Sequence, residues 1–393
     1  MGEVRQRIAA CTQQVIEHRR WFHAHPELSG KETQSAAYIA DALRAMGLEP
    51  QTGVGGNGVV ALIEGRGPGK CVALRADFDA LPLQETTGLP YASQNPGVMH
   101  ACCHDTHAAM LLGAAQVLSG MRDEFDGCVK LIFQPSEEDN VASGAKAMIA
   151  AGVLENPKVD AMFGQHIWPD FESGTVAIRN GSMMASSDRL NITIRGKASH
   201  GSTPDSGIDA IAAAAQVISA LQTIVSRRVS PLDSAVVTIG TIHGGDRYNV
   251  IADTVKLEGT CRNLNPLVRN QMEDRIRAIV EGVCAGMGAQ GTLEYIRGYS
   301  PTVNSPELFP LALEAIHEVV GEENTIIPEN SALGGEDFSF YCEKVPSVLF
   351  WTGLNTPGAE VFPLHNGNLN PDEGCISVAA QVLVTAAIKF LNK

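Results

Sequence analysis

The sequence predicts an α/β fold, with a mixed sheet between helices, that is interrupted by a smaller inserted α+β unit. Its 393 residues exceed the size at which one hydrophobic core keeps growing, so two domains or a large insertion are expected. Helix and strand patterns alternate in the first part of the chain and resume at its end. Between them the order changes to strand, helix, strand, strand, helix. We therefore expect one domain from residues 1–181 and 294–393, and an inserted domain at 182–293.

The elements follow from apolar periodicity and turn residues. In the larger domain we predict an amphipathic helix at the start, a helix at 32–46, a strand at 71–77, a helix at 107–118 and strands at 128–134 and 160–166; after the insertion, a helix at 307–320, a strand at 346–353 and a helix from 376. The apolar strands CVALRAD, CVKLIFQ and DAMFGQH alternate little, which is typical of strands covered by helices on both faces. The polar residues that end each strand should lie at the ligand crevice of the sheet.

The inserted unit has the size and order of a ferredoxin-like domain. We predict a strand at 189–197, a helix at 207–225, strands at 234–243 and 253–263, and a helix at 267–289.

Composition excludes some classes of partner. A net charge of −15 disfavours nucleic acid and anionic membrane surfaces, which bind clustered Lys and Arg. The first residues lack the layout of a secretory signal, and no apolar run approaches the length of a membrane span. Nine scattered cysteines fit reduced thiols better than a disulfide framework. A cytoplasmic location and a small-molecule ligand are expected.

The densest chemical feature is the segment MHACCHDTHAAM, which contains Cys102, Cys103, His104, Asp105 and His107. Thiolate and imidazole bind borderline metals such as zinc, and the Cys-x-His spacing lets alternate side chains point the same way. Taken alone, the segment fits a metal site and a redox-inert buried Cys/His cluster equally well.

Adjacent carboxylates, Glu137 and Glu138, follow the strand in QPSEED. One carboxylate can bind a metal while the other acts as a general base on water. The alternative is a solvated acidic loop, because Asp139 continues the run.

Two further histidines, His166 in DAMFGQH and His365 in PLHNGNLNPDE, end or follow predicted elements. A lone histidine is more often structural than a ligand. Convergence favours the functional interpretation, because enough soft or borderline ligands for two metals are then expected near one crevice: Cys102, His104, Glu138, His166 and His365.

Nine segments spread over essentially the whole chain match one known family: WFHAHPELSGKET, ALRADFDALP, MHACCHDTHAAMLLGAA, LIFQPSEE, FGQHIWP, GKASHGSTPDSGIDAI, NVIADTVKLEGTCR, GGEDFSFY and LHNGNLNPDE. By these segments the chain resembles the M20 metallopeptidase family, in its aminoacylase and hippurate-hydrolase-like branch. The resemblance implies a metal-dependent exopeptidase-like fold, two divalent metals held by those five residues, and Glu137 as general base. Zinc, manganese, cobalt and nickel all suit such ligands.

The resemblance also assigns the insertion to a lid or dimerisation domain, and so implies a homodimer or higher homo-oligomer. His200, Asn249 and Arg262 occupy the places from which similar enzymes contact substrate, often across the dimer. Without the resemblance, His200 would be interpreted as a surface turn residue and Arg262 as a solvated strand end. Asp79 occupies the place of a residue that orients a metal ligand.

The activity implied is hydrolysis of N-acyl amino acids to a carboxylate and a free amino acid. A dipeptidase or carboxypeptidase could use the same machinery, and a catalytically silent metal-binding homologue is the alternative from another class. The branch typically has Gly where Cys103 stands, so we expect backbone strain or crowding at this residue.

Overall fold

The computed structural model describes residues 2–393, which divide into two compact units. The first unit contains the residues up to Met183 together with Val303–Asn330 and Asp337–Lys393. The second unit contains Met184–Thr302 and Ser331–Glu336.

The helices are α1 (Gly2–Ala24), α2 (Thr33–Ala45), α3 (His104–Ser119), α4 (Gly144–Ala150), α5 (Ala210–Arg228), α6 (Pro266–Gly286), α7 (Phe309–Val320), α8 (Ser339–Cys342) and α9 (Gly374–Leu391). The strands are β1 (Gln51–Val54), β2 (Gly58–Glu64), β3 (Cys71–Asp77), β4 (Cys128–Gln134), β5 (Ala161–Glu172), β6 (Val176–Ala177), β7 (Gly181–Met184), β8 (Ser187–Arg195), β9 (Ser199–His200), β10 (Ala235–Gly244), β11 (Val250–Ile251), β12 (Thr254–Asn263), β13 (Gln290–Tyr299), β14 (Thr302–Asn304), β15 (Thr325–Ile326) and β16 (Ser347–Asn355).

The described part of the first unit is built on an eight-stranded sheet in the order β1-β2-β4-β3-β5-β16-β6-β15. Strands β4, β3, β5 and β16 are parallel to one another. Strand β1 is antiparallel to β2, β2 to β4 and β6 to β16, and β15 is parallel to β6. The prediction of a mixed sheet is therefore confirmed. Helices α1, α3 and α9 pack together, and α3 and α9 also pack against the central strands. Helix α4 contacts β4, and helix α8 contacts β16. All seven residues of β3 are buried, as its largely apolar sequence with little alternation predicts.

The second unit has the order β8-α5-β10-β12-α6-β13, and its antiparallel sheet runs β10-β12-β8-β13. This is the ferredoxin-like arrangement, as predicted. Helices α5 and α6 pack on the sheet around a core that includes Leu190, Val217 and Ile276. Strand β13 pairs with β8 from Gln290 to Tyr299 and so continues past the expected domain end at residue 293.

Two of the described helices, α5 and α9, have the length and apolar composition of a membrane span. A core helix passes the same test, and 61% of the apolar window of α9 is buried inside the protein. Only 33% of the window of α5 is buried, with the buried residues forming the face that packs on the sheet. Packing inside each unit therefore accounts for the apolar residues of α5 and α9.

Candidate metal centre

The carboxyl ends of three parallel strands in the first unit bring the predicted site residues together. Asp79 follows β3, Glu137 follows β4, and His166 lies within β5. Because β3 is hydrogen-bonded to both β4 and β5 in parallel register, these strands deliver their polar ends to the same edge of the sheet. The backbone N–H groups of Glu137 and Glu138 both donate to the Asp79 carboxylate, each at 3.0 Å.

A tight turn before α3 presents Cys102 and His104. Cys103 has φ 62° and ψ 31°, a left-handed conformation, and α3 begins at the next residue. This turn places the Cys102 Sγ atom 3.5 Å from His166 Nε2. Potential ligand atoms of Cys102, His104 and His166 all lie within 4.8 Å of one another, and all three residues are buried.

The remaining predicted ligands adjoin this group. The His365 Nε2 atom lies 3.2 Å from Glu138 Oε1, and the backbone of His365 is held by a 2.7 Å hydrogen bond to the Ala101 carbonyl. Two further groups have ligand atoms within 4.8 Å of one another: Cys102, Glu138 and His365, and His104, Glu137 and Glu138. The structure thus brings together all five predicted ligands and the predicted base.

The electrostatics of this cluster suit a cation. Burial disfavours a charged His104 imidazole, but the carboxylates of Asp77, Asp79 and Glu138 outweigh this effect and raise its pKa to about 10. The buried His104 Nε2 and Glu138 Oε1 atoms make no hydrogen bond, although His365 lies close to the latter. Buried polar atoms normally have partners, so a metal ion bound to these atoms fits the site.

The Cys102 thiol and the His166 ring have the properties expected of ligands. Burial, followed by the charges of Glu138 and Glu137, raises the pKa of the Cys102 thiol, so a nearby cation is needed to favour the thiolate. Burial lowers the pKa of His166 to about 4. Its Nδ1 atom is 2.6 Å from the Ile167 carbonyl, which selects the tautomer with a free Nε2 lone pair directed towards Cys102.

Asp79 connects the chain segments that carry the ligands. Besides the two backbone groups after β4, its carboxylate accepts a hydrogen bond from Ser29 Oγ at 2.6 Å and lies 3.2 Å from His104 Nδ1. Burial opposes ionisation, but these contacts lower its pKa. Such contacts orient the imidazole of a metal ligand.

His107 contacts residues next to the ligand cluster on both β3 and β5. Its Nδ1 atom lies 2.6 Å from Asp77 Oδ1, and its Nε2 atom accepts a hydrogen bond from the Ile167 backbone at 3.0 Å. Burial lowers its pKa to about 4, so the ring is neutral and can make both contacts. His107 thereby links α3 to the strand that carries His166.

Sequence reasoning missed the buried ionic network under the cluster. The Arg75 guanidinium, which is fully buried, donates to Asp77 Oδ2 and to Asp337 Oδ1, each at 2.8 Å. Asp337 also accepts hydrogen bonds from Ser143 Oγ at 2.8 Å and from the Ala145 backbone at 3.0 Å. The signal in the sequence was an arginine within an otherwise apolar strand, which requires buried carboxylate partners.

The substrate-contact residues expected in the second unit form two groups. The exposed His200 pairs with Val250, and the Gly201 backbone donates to the Asn249 carbonyl at 2.8 Å, so His200 and Asn249 are neighbours. Strand β11, which follows Asn249, leads into the start of β12 at Thr254, whereas Arg262 lies at the far end of β12. This ten-residue strand spans about 30 Å at the usual rise of an extended chain. Arg262 is therefore not brought together with the other two residues in one chain.

The mixed sheet carries at its edge a cluster of thiol, imidazole and carboxylate groups that could hold metal ions. The model for peptidase family M20/M25/M40 matches residues 73–389, and the chain belongs to this family. It is 41% identical to the N-acetylcysteine deacetylase of Bacillus subtilis over 382 residues, which cover 96% of this chain and 97% of the relative.

Two other comparisons agree with this assignment. The chain is 40% identical to thermostable carboxypeptidase 2 of Saccharolobus solfataricus over 382 residues, 96% of either chain. A crystal structure of a dinuclear metal-binding M20 peptidase from Bacillus subtilis matches with a TM-score of 0.84 and 37% identity, covering 98% of this chain and 99% of that one. The predicted family and fold class are confirmed, and the protein is a hydrolase of a family that acts on amide bonds.

Proposed function

We propose that this protein hydrolyses the amide bond of N-acyl amino acids, releasing a carboxylate and a free amino acid. The observation that carries the proposal is the convergence of five ligand-type side chains beside the buried carboxylate of Glu137. The B. subtilis relative that deacetylates N-acetylcysteine supports a small N-acylated substrate. A cytoplasmic location is part of the proposal.

Two divalent metals are the proposed cofactors. Cys102, His104, Glu138, His166 and His365 would hold them, and Glu138 is shared between two of the ligand groups. When bound, such ions acidify water and polarise the substrate carbonyl. Zinc, manganese, cobalt and nickel all fit thiolate, imidazole and carboxylate ligands.

Glu137 is the proposed general base. Its side chain lies in the same group as those of His104 and Glu138, and one carboxylate oxygen accepts a 3.3 Å hydrogen bond from the Asp337 backbone. A carboxylate fixed in this way can take a proton from the attacking water and deliver it to the leaving nitrogen.

Arg262 is the proposed partner of the substrate carboxylate. Its half-buried guanidinium makes no hydrogen bond or ion pair with the described residues. Desolvation lowers its pKa, and the charge of Asp188 offsets only part of this effect. A carboxylate ligand would compensate this partly desolvated charge through two parallel hydrogen bonds. His200 and Asn249, which lie away from Arg262, are proposed to act in the site of a partner subunit within a homodimer.

A carboxypeptidase or dipeptidase activity is the second candidate, because the S. solfataricus relative is a carboxypeptidase. Both reactions need the same metal site and the same contact with a substrate carboxylate. A panel of N-acetyl amino acids, N-benzoyl amino acids and dipeptides distinguishes them. Turnover confined to dipeptides would exclude the first proposal.

The decisive variant is Glu137→Gln, which keeps the shape of the side chain and removes the base. We expect unchanged metal content and folding, with kcat reduced at least 100-fold, about the contribution of general acid–base catalysis. Asp139→Asn, in the same loop, is the matched control, because its carboxylate caps the backbone of Val141 and Ala142 and an asparagine oxygen can do the same. Near-normal turnover by Glu137→Gln would refute the role of Glu137. Loss of all turnover by a folded, metal-loaded Asp139→Asn would show that removing any carboxylate from this loop abolishes activity, so that the loss in Glu137→Gln could not be assigned to a missing base.

A further inference from the structure

An aromatic platform, formed by Trp168, Trp351 and Phe171, lies beside His166 in the first unit. The indole rings of Trp168 and Trp351 stack with their centroids 4.1 Å apart and an angle of 14° between their planes. The Phe171 ring lies 6.4 Å from Trp351, and Trp168 lies 6.0 Å from the His166 imidazole. The platform is thus in direct contact with a proposed metal ligand.

Strand geometry places the two tryptophans of the platform on the same face of the sheet as His166. Residues two apart in a strand point to the same face, so Trp168 shares the face of His166 in β5. Trp351 of β16 is in parallel register with His166 and therefore points to this face as well. Trp168 also lies two residues closer to the carboxyl end of β5, the direction in which ligand crevices of such sheets lie.

The platform is rigid but not fully covered. Trp351 is 2% exposed and supports one face of Trp168, whose indole nitrogen donates to Asp170 Oδ2 at 3.0 Å. Trp168 itself is only partly buried, and no cation–π pair among the described residues uses it. A fixed indole with free surface binds flat apolar groups at little cost in conformational entropy.

We propose that Trp168 determines acyl-group specificity, by stacking against planar aromatic acyl groups in preference to acetyl. The inference rests on the proposed amide hydrolysis, in which metal ions held by the proposed ligands would polarise the amide carbonyl. The acyl group is bonded to this carbonyl carbon, and the platform borders the proposed ligand His166. The platform offers aromatic carbon rather than charge, which suits a neutral acyl group.

Kinetics with two matched substrates test the proposal. We expect kcat/KM of the metal-loaded wild type to favour N-benzoylglycine over N-acetylglycine. Trp168→Ala should lower kcat/KM for the benzoyl substrate by about 10-fold or more, mainly through KM, a loss typical of an aromatic contact with its buried area. The acetyl substrate should change by less than about threefold, because a methyl group contacts little of the indole.

Two controls separate stacking from folding. Trp168→Phe should retain most of the benzoyl preference, because it keeps an aromatic ring. Trp21→Ala removes an indole that is likewise stacked, 3.8 Å from Tyr38, and contacts none of the proposed ligands, so it should leave the substrate ratio unchanged. An equal loss for both substrates in Trp168→Ala, or an unchanged ratio, would overturn the proposal.

A binding measurement keeps this inference separate from the proposed function. Calorimetric titration with benzoate and with acetate reports the acyl site without turnover, and Trp168→Ala should weaken benzoate alone. Benzoate binding that depends on Trp168, without hydrolysis of any amide, would support the platform while refuting the proposed reaction. Hydrolysis with equal affinity for the two acids would refute the platform alone.

Discussion

At Cys103 the chain adopts a backbone conformation that favours glycine. Its φ of 62° confirms the strain expected from a cysteine at this place, since a left-handed residue with a Cβ atom costs about 1 kcal/mol. Ser136, with φ 54°, and His365, with φ 62°, also have positive φ angles, next to the proposed base and at a proposed ligand. Strained residues of this kind cluster at functional sites, where the surrounding structure fixes them.

Two substitutions at Cys103 separate strain from packing. Cys103→Ala removes the buried thiol but keeps the strained Cβ atom, whereas Cys103→Gly removes both. We expect the glycine variant to be at least as stable as the alanine variant, and by up to about 1 kcal/mol more stable, the reverse of the usual order. Urea unfolding curves measure the difference. A glycine variant less stable by about 1 kcal/mol would show that the left-handed backbone carries no cost.

Glu85 gives a prediction for the pH dependence of stability. Burial opposes its ionisation, but hydrogen bonds from His23, Thr87 and the Ser93 backbone lower its pKa to about 2. An unfolded glutamate has a pKa near 4.3, so the folded state holds this proton less tightly than the unfolded state. The stabilisation is therefore complete above about pH 4.5 and is lost as the pH falls towards 2.

Substitution of Glu85 by glutamine tests this linkage. Glu85→Gln should lower the free energy of unfolding at pH 7 and should flatten its decline between about pH 5 and pH 3. Glu49→Gln removes an exposed carboxylate and should leave the slope close to that of the wild type. Identical slopes for the wild type and Glu85→Gln would contradict the assignment.

At the scale of elements, apolar patterning located the buried core well. The predicted bounds of β3 and β4 are those observed, because each is a buried, mainly apolar run that ends at a polar residue. The hairpin of β1 and β2 was not predicted, and three of the four residues of β1 are exposed, which leaves little apolar signal. Helix α3 starts at His104 rather than at residue 107, because the turn at Cys103 makes the ligand cluster itself the start of the helix.

The residues of the candidate site also fall into a group that the sequence predicted and a group that it did not. Ligand types and the family resemblance named the residues that converge at the sheet edge. The network beneath them could not be predicted, because Arg75 and Asp337 are separated by 262 positions and sequence alone does not pair them. The separation of Arg262 from His200 depends on the direction and length of β12. The family resemblance named these residues as substrate contacts but did not give their positions in space.

Helix α4 follows the loop of the two adjacent glutamates, and its first residue fixes that loop. A Cβ atom at Gly144 would lie 1.7 Å from the Pro135 carbonyl oxygen, one residue before the strained Ser136. Gly144→Ala should therefore destabilise the protein by about 3 kcal/mol, the cost of a severe overlap, and should lower its metal content.

Gly282→Ala in α6 is the matched control. A Cβ atom there meets nothing within 4 Å, so alanine should stabilise the helix by about 0.5 to 1 kcal/mol. Calorimetry and metal analysis of both variants measure the contrast. Equal effects of the two substitutions would show that the contact with Pro135 does not constrain the loop.

At the scale of the whole molecule, the second unit has an edge suited to association. Strand β10 borders the sheet and is largely exposed, with Ile242 52% exposed. An unprotected edge strand can pair with another chain, and in a twofold dimer the same edge would pair with itself. This edge supports the proposed homodimer, in which His200 and Asn249 complete the site of the partner subunit.

Mixing two inactive variants tests this arrangement. His200→Ala lacks the contact given to the partner, and Glu137→Gln lacks the base in its own site. In a mixed dimer the His200→Ala chain keeps Glu137 and receives His200 from the other subunit, so one competent site is restored. Random exchange of equal amounts makes half the dimers mixed, so we expect about a quarter of the wild-type rate. If His200 acts within its own chain, the mixture stays as inactive as its components, even when mass spectrometry of the intact dimers shows that subunits have exchanged.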